Sequence, residues 1–194
     1  IPTLNAGYKT YGIYLDGLQS GATIYNNSIV YRTAGTGGTA YGLYVKSVSG
    51  LKFTNNRISN PGMVTAGSFV GAYFNGVLGT DFKFNDVLST GPILSSGVIV
   101  QVAGSNIALR NNIFLSSMTV SVSSGSLIMD AGSTLSSDYN DWFSSTTRNS
   151  FIVGSTAYES LSAWKIATSS DLNSIDANPL WHDPSAGEED FHPL

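Results

Sequence analysis

Apolar residues along this chain come in short bursts that break at a pair of asparagine or aspartate residues and then resume at once. TIYNNSIVY (23–31), LKFTNNRIS (51–59), FKFNDVLS (82–89), ALRNNIFLS (108–116) and SDYNDWFSS (137–145) all have this form. The second member of each pair falls at Asn27, Asn56, Asp86, Asn112 and Asp141, so the numbering advances by 29, 30, 26 and 29 in turn. A second apolar run precedes each pair: YGIYLDG (11–17), YGLYVKS (41–47), VGAYFNG (70–76), GVIVQVAG (97–104) and SLIMDAG (126–132). The repeating unit is a short strand, a Gly/Ser turn, a second strand, the Asn pair, an apolar residue and a variable Ser/Thr/Gly-rich return. So regular a recurrence is the signature of a repeat architecture. Strands this short, each closed by turn residues, leave no helix-length periodicity before Ser150.

Hairpins would carry two-residue Asn-Gly or Asp-Gly turns, and these runs lack them. The alternative is a coil in which each strand pairs in parallel with its equivalent one repeat later. Alternation along a strand then turns Ile13 and Leu15, Leu43 and Val45, Ala72 and Phe74, Val98 and Val100, Leu127 and Met129 inward. It does the same for Ile24, Phe53, Phe84 and Leu109 in the second strand. After the Asn pair, Ile29, Ile58, Leu88, Phe114 and Phe143 turn inward again. Asparagine tolerates the left-handed backbone of a sharp bend. Inward amides stacked turn upon turn donate to and accept from one another, so Asn27, Asn56, Asp86, Asn112 and Asp141 are expected to form a structural ladder.

Residues 157–168, AYESLSAWKIAT, are the one helical pattern, with Ser160 as N-cap and Leu161, Trp164 and Ile166 or Ala167 as a buried stripe. The expectation is an all-β chain: a right-handed parallel β-helix of about five coils over residues 1–150, then a helix-plus-loop C-terminal cap over 151–194.

The pattern of a short strand followed by I-x-x-N-N-x-I, repeated over about residues 8–145, resembles the right-handed parallel β-helix proteins of the pectate-lyase-like superfamily. The segment LSAWKIATSSDLNSIDANPLW (161–181) is similar to the tail of large bacterial secreted β-helix proteins. There an S-x-x-x-W helix, a D-x-N-S-I loop and a P-L-F/W strand follow the final coils. That resemblance implies a bacterial secreted or cell-surface setting.

Composition narrows the function. Only 11% of the 194 residues are charged, against 42% apolar, and ordinary soluble domains carry about 25% charged residues. A net charge of −4 leaves no basic stripe for nucleic acid. Cysteine is absent, which excludes disulfides and thiolate metal sites. No apolar run reaches the ~18 residues of a membrane span. The chain opens Ile-Pro rather than Met and carries no signal peptide, so it reads as an excised or processed piece of a longer protein.

Enzymes with this resemblance use clustered carboxylates on the outer face. The position after the first strand reads Asp16, Lys46, Asn75, Gln101 and Asp130, where no two carboxylates are neighbours. Arg32, Arg57, Arg110 and Arg148 are scattered, and His182 and His192 lie in the tail. No catalytic set emerges. Two oxygen-rich groups are candidate calcium sites, Asp138 with Asn140 and Asp141, and Asp171 with Asn173 and Asp176; no cofactor is otherwise required. Tyr14, Tyr44 and Tyr73 share one outward column, followed by Ile99 and Ile128 and flanked by Tyr11 and Tyr41. Exposed aromatics in a column suit sugar rings. The functional expectation is a non-catalytic adhesive or carbohydrate-contacting stalk of a secreted or cell-surface bacterial protein, with polysaccharide or cell-surface glycan as partner. The alternative is a fragment of a polysaccharide lyase or glycoside hydrolase whose catalytic coils lie outside this chain.

Overall fold

A computed structural model describes residues 8–17, 20–31, 38–60, 67–89, 96–116, 125–145, 150–183 and 190–193. The strands follow the repeat. The first unit contains β1 (Lys9–Asp16), β2 (Thr23–Tyr25) and β3 (Ser28–Val30), and the second β4 (Thr39–Lys46), β5 (Ser49–Thr54) and β6 (Arg57–Asn60). In the third, one continuous strand β7 (Ser68–Lys83) turns the first corner before β8 (Asp86–Ser89). The fourth repeats this with β9 (Ser96–Arg110) and β10 (Ile113–Ser116). The fifth has β11 (Gly125–Met129), β12 (Leu135–Asp138) and β13 (Asp141–Ser144). After them come β14 (Phe151–Val153), β15 (Thr156–Tyr158), helix α1 (Leu161–Thr168) and an antiparallel pair, β16 (Trp181–Asp183) and β17 (Asp190–Pro193).

Every strand from β1 to β14 pairs in parallel with its equivalent in an adjacent unit, and β14 closes the stack by pairing antiparallel with β15. Three faces result. The first stacks β1, β4, the start of β7, the start of β9, β11 and β14. The second stacks β2, β5, the ends of β7 and β9, and β12; the third stacks β3, β6, β8, β10 and β13. The chain is thus an all-β parallel solenoid of about four turns. Five repeats bound four complete turns, which is why counting repeats gives one coil too many.

The interior is a set of stacked apolar columns. One runs Ile24, Phe53, Phe82, Leu109 and another Ile29, Ile58, Val87, Phe114, Trp142. Three inward assignments therefore move: Phe82 replaces Phe84, Val87 replaces Leu88, and Trp142 replaces Phe143. On the first face Ala72 and Phe74 align with Val100 and Val102, not with Val98 and Val100. Rings of Phe53, Phe82, Phe114 and Trp142 stack successively, and Phe151 and Trp164 continue the aromatic core into the cap. Each large side chain buried this way contributes ~1.5–3 kcal/mol.

Gly12, Gly42 and Gly71 form their own column on the first face. A Cβ on Gly42 would lie 2.2 Å from Ile58 Cγ2 and 2.6 Å from the Gly71 carbonyl oxygen. Only hydrogen fits where the third face closes against the first. Strict alternation also slips at this glycine, so that Tyr11 and Tyr14 both emerge on the outer surface, with ring centroids 4.9 Å apart.

Helix α1 is capped as the sequence indicates, the Ser160 hydroxyl accepting from the Ala163 N–H at 3.1 Å. Its buried stripe is narrower than expected. Leu161 and Trp164 are buried, whereas Ile166 is 83% exposed. After the helix, residues 171–175 return to the solenoid and add a partial rung. The Asp171 N–H donates to Ser137 O, the Ile175 N–H to Asn140 O, and Trp142 N–H to Ile175 O.

Candidate functional site

The bend between the second and third faces is held by a column of amides. Asn27, Asn56, Asn85 and Asn112 each donate a backbone N–H and a side-chain N–H to the Oδ1 of the next asparagine in the series. The backbone donors lie 3.0, 2.9, 2.9 and 3.0 Å from their acceptors. From Asn56 onward each Nδ2 also donates to a carbonyl of the preceding turn, at Ile24, Phe53, Phe82 and Leu109 in order. The last asparagine is Asn140, whose N–H donates to the Ser174 hydroxyl. The partial rung of the cap therefore extends the ladder.

Asn27, Asn56 and Asn112 lie in this column as expected. Asp86 and Asp141 do not; Asn85 and Asn140 occupy their turns. The reason is geometric. The residue before each ladder amide must take left-handed backbone, and Asn26, Asn55, Phe84, Asn111 and Tyr139 do so, with φ between 54 and 59°. Phe84 and Tyr139 are thus the first members of their pairs, and Asp86 and Asp141 come one position later. They align with Ser28, Arg57 and Ile113 in the column that opens the third face. Burial raises the Asp86 carboxyl to about 6, although the Arg57 charge opposes it. Burial also raises Asp141 to about 6, against a hydrogen bond from the Ala177 N–H.

The two candidate calcium groups turn out to be bonded to each other. Both carboxylate oxygens of Asp138 accept from Asn173, at 2.7 Å from its backbone N–H and 2.9 Å from its Nδ2. Asp171 is buried and has left-handed backbone. It accepts from Ser137 Oγ, Asn140 Nδ2, Trp142 Nε1 and Ser174 Oγ through one oxygen and from Trp164 Nε1 through the other. The indoles of Trp142 and Trp164 thus meet on one carboxylate and tie the helix to the last coil. A cation at either place would share these oxygens with the donors. Among the described residues, no three His, Cys, Asp or Glu side chains converge as metal ligands. Arg32 and Arg148 and the side chains of His182 and His192 lie outside the described residues.

Tyr14, Tyr44 and Tyr73 are in register on the outer surface of the first face. The next residue in the column is Gln101, then Ile128. Ile99 is inside, and the position after the strand holds Ala103 rather than Gln101. The tyrosines pack on one another rather than lying open. Tyr14 stacks on Tyr44 at 5.4 Å and Tyr11 on Tyr41 at 5.4 Å, while Tyr41 and Tyr73 meet Tyr44 edge-on at 5.0 and 5.1 Å. Tyr44 is only 8% exposed, against 47% for Tyr14.

At the open end of this cluster the Tyr14 hydroxyl donates to Asp16 Oδ2 at 2.8 Å. The same oxygen accepts from Lys46 Nζ at 2.9 Å. The bond from Lys46, reinforced by that from Tyr14, holds the Asp16 carboxyl below its ordinary value; the bond to Asp16 raises the Tyr14 hydroxyl. An aromatic face thus sits beside a pinned hydroxyl, carboxylate and ammonium group. Burial of Tyr44 could not be read from alternation, because it comes from rings interlocking across three turns.

Comparison with family models, with curated proteins and with solved structures finds no match. The solenoid assignment accordingly rests on the strand pairing. Among the described residues no helix is long and apolar enough to cross a membrane.

Proposed function

We propose that this chain is a non-catalytic solenoid segment of a secreted or cell-surface bacterial protein, an adhesive stalk that contacts polysaccharide or cell-surface glycan. The observation that carries this reading is the end of the tyrosine cluster. Tyr11 and Tyr14 keep exposed ring area, and Asp16 and Lys46 fix polar groups at its edge. A sugar has both apolar C–H faces and a rim of hydroxyls, and this arrangement meets both. The rest of the cluster supports the site. Tyr44 and Tyr41 are sandwiched and hold the outer rings in place, so Tyr44 is a positioning residue within Tyr14, Tyr44 and Tyr73. The reading requires no cofactor.

The site is shallow and solvent-open, so affinity is expected on the order of millimolar. A glycan array followed by titration tests it. Changing Tyr11 and Tyr14 to serine should abolish binding while leaving the melting temperature within a few degrees, since both rings lie at the cluster edge. Tyr44→Ser is a poorer test, because it opens a gap in packed side chains. Undiminished binding by the Tyr11/Tyr14 variant would leave the cluster a packing device alone.

A second reading, a fragment of a polysaccharide lyase or glycoside hydrolase, draws on Asp86 and Asp141. They share one column with Ile113 between them, so two rungs put them roughly 10 Å apart, near the separation of acids in inverting hydrolases. Release of reducing or unsaturated ends from polysaccharide, lost on replacing both aspartates, would establish that reading over the stalk.

A further inference from the structure

We propose that the bend between the second and third faces carries a contact strip for an extended β-1,4-linked glycan, built on Phe84 and Tyr139 and running along the solenoid axis. The strip lies on a different face from the tyrosine cluster, and it rests on the carbohydrate reading only for the class of ligand.

The positions that take left-handed backbone at this bend are Asn26, Asn55, Phe84, Asn111 and Tyr139. Asparagine fits this conformation; a bulky aromatic is strained in it. Phe84 is nevertheless 59% exposed and Tyr139 54%. Each ring therefore sits on a strained backbone and buries little in return, so the fold gives no reason for either. An outlier of this kind points to contact with something outside the chain.

Strand register gives the spacing. The ladder amides that follow these residues, Asn85, Asn112 and Asn140, are bonded in series. Phe84 and Tyr139 are thus two rungs apart, roughly 10 Å. Alternate rings of an extended β-1,4-linked chain present the same face at close to this interval, so both aromatics can stack on one chain. The exposed amide of Asn111 lies between them, where the intervening sugar would present its hydroxyls. Beyond Phe84 the surface opens into a depression of about 290 Å³ lined by Asn26, Asn55, Arg57 and Asp86 among others. It offers amide, guanidinium and carboxyl groups to further hydroxyls. An aromatic pair with polar groups between and beside it distinguishes the strip from a purely apolar docking patch.

The test uses the whole chain, with cellohexaose as probe and maltohexaose, whose α-linkage curves the chain, as control. Chemical-shift titration should move the resonances of Phe84, Asn111 and Tyr139 with cellohexaose and leave them with maltohexaose. Replacing Phe84 and Tyr139 by asparagine, the residue the column already uses, should weaken binding by about tenfold or more without lowering the melting temperature. Tyr11→Ser with Tyr14→Ser should leave these shifts in place. Cellohexaose binding that survives the Phe84/Tyr139 change, or the absence of shifts at these three residues in the unaltered chain, overturns the strip. If binding is lost only with Tyr11 and Tyr14, the strip falls and the tyrosine reading stands; if it is lost only with Phe84 and Tyr139, the reverse holds.

Discussion

Asp171→Ala should destabilise the chain by roughly 3–5 kcal/mol and loosen its C-terminal end first. Five hydrogen bonds are lost at once, from Ser137 Oγ, Asn140 Nδ2, Trp142 Nε1, Trp164 Nε1 and Ser174 Oγ, although Asn140 Nδ2 keeps Leu109 O and Ser137 Oγ as acceptors. A buried donor left without a partner costs ~1–3 kcal/mol, and members of one network do not add independently. The figure therefore lies well below five separate losses. A solenoid transmits stability from neighbour to neighbour, so the damage should begin where the carboxylate ties α1 to β12 and β13. Urea denaturation checks the magnitude. Hydrogen exchange checks the location, with protection lost in residues 135–144 before residues 68–83. A change under about 0.5 kcal/mol, the ordinary range for surface substitutions, would mean the cap is held by its apolar contacts alone.

Adjacent substitutions in the third turn should have opposite signs. Asn85→Leu removes an amide that accepts from the Asn56 N–H and donates to Phe53 O and Asn112 Oδ1. It should cost about 3 kcal/mol, because the buried Asn56 N–H and Phe53 O lose this partner, while Asn112 Oδ1 keeps the backbone N–H of residue 85. Asp86→Asn should be stabilising at pH 7.5 by about 1–2 kcal/mol, since a carboxyl raised to about 6 by burial opposes folding once ionised. For the sign, the folded carboxyl binds a proton more tightly than the unfolded one. The wild type therefore loses stability as pH rises from about 4 through about 6, and is level above that. The benefit of Asp86→Asn should accordingly vanish near pH 4. Denaturation at both pH values decides it; equal costs for the two substitutions would place both side chains in the ladder and overturn this register.

The repeat and its parallel stacking were legible in the sequence because strand, bend and strand recur with similar residues. Asn27, Asn56 and Asn112 also fell in place, since each follows an asparagine at the bend. The third and fifth turns mislead because an aromatic stands at the bend. In FKFND and SDYND, matching by the second member of the pair slides the turn by one residue. A one-residue slip reverses inside and outside, which is why pattern matching turns Leu88 and Phe143 inward; Phe84 is misplaced because it stands at the left-handed bend itself, two residues after the inward Phe82. Regular spacing was the available signal. Steps of 29, 29, 27 and 28 residues link the observed ladder, more even than the 29, 30, 26 and 29 of the pair-matched set. The cap was legible as a helix with its Ser160 N-cap. The role of Asp171 was not, because nothing local to SSDLNSI shows that the indoles of Trp142 and Trp164 arrive on one carboxylate. Oxygen-rich spacing reads the same for a cation cage and for a hub of hydrogen bonds.

Both proposed contact surfaces depend on the register that the amide column sets, and side-chain amide exchange reads that column directly. In an NMR exchange measurement on the whole chain, the side-chain NH2 groups of Asn56, Asn85, Asn112 and Asn140 should exchange slowly. Those of Asn26 and Asn111, exposed at the bend, should exchange at rates near those of free amides. Slow exchange at Asn111 with fast exchange at Asn85 and Asn140 would contradict the column, and with it the placement of Phe84 and Tyr139 on the outside of the solenoid.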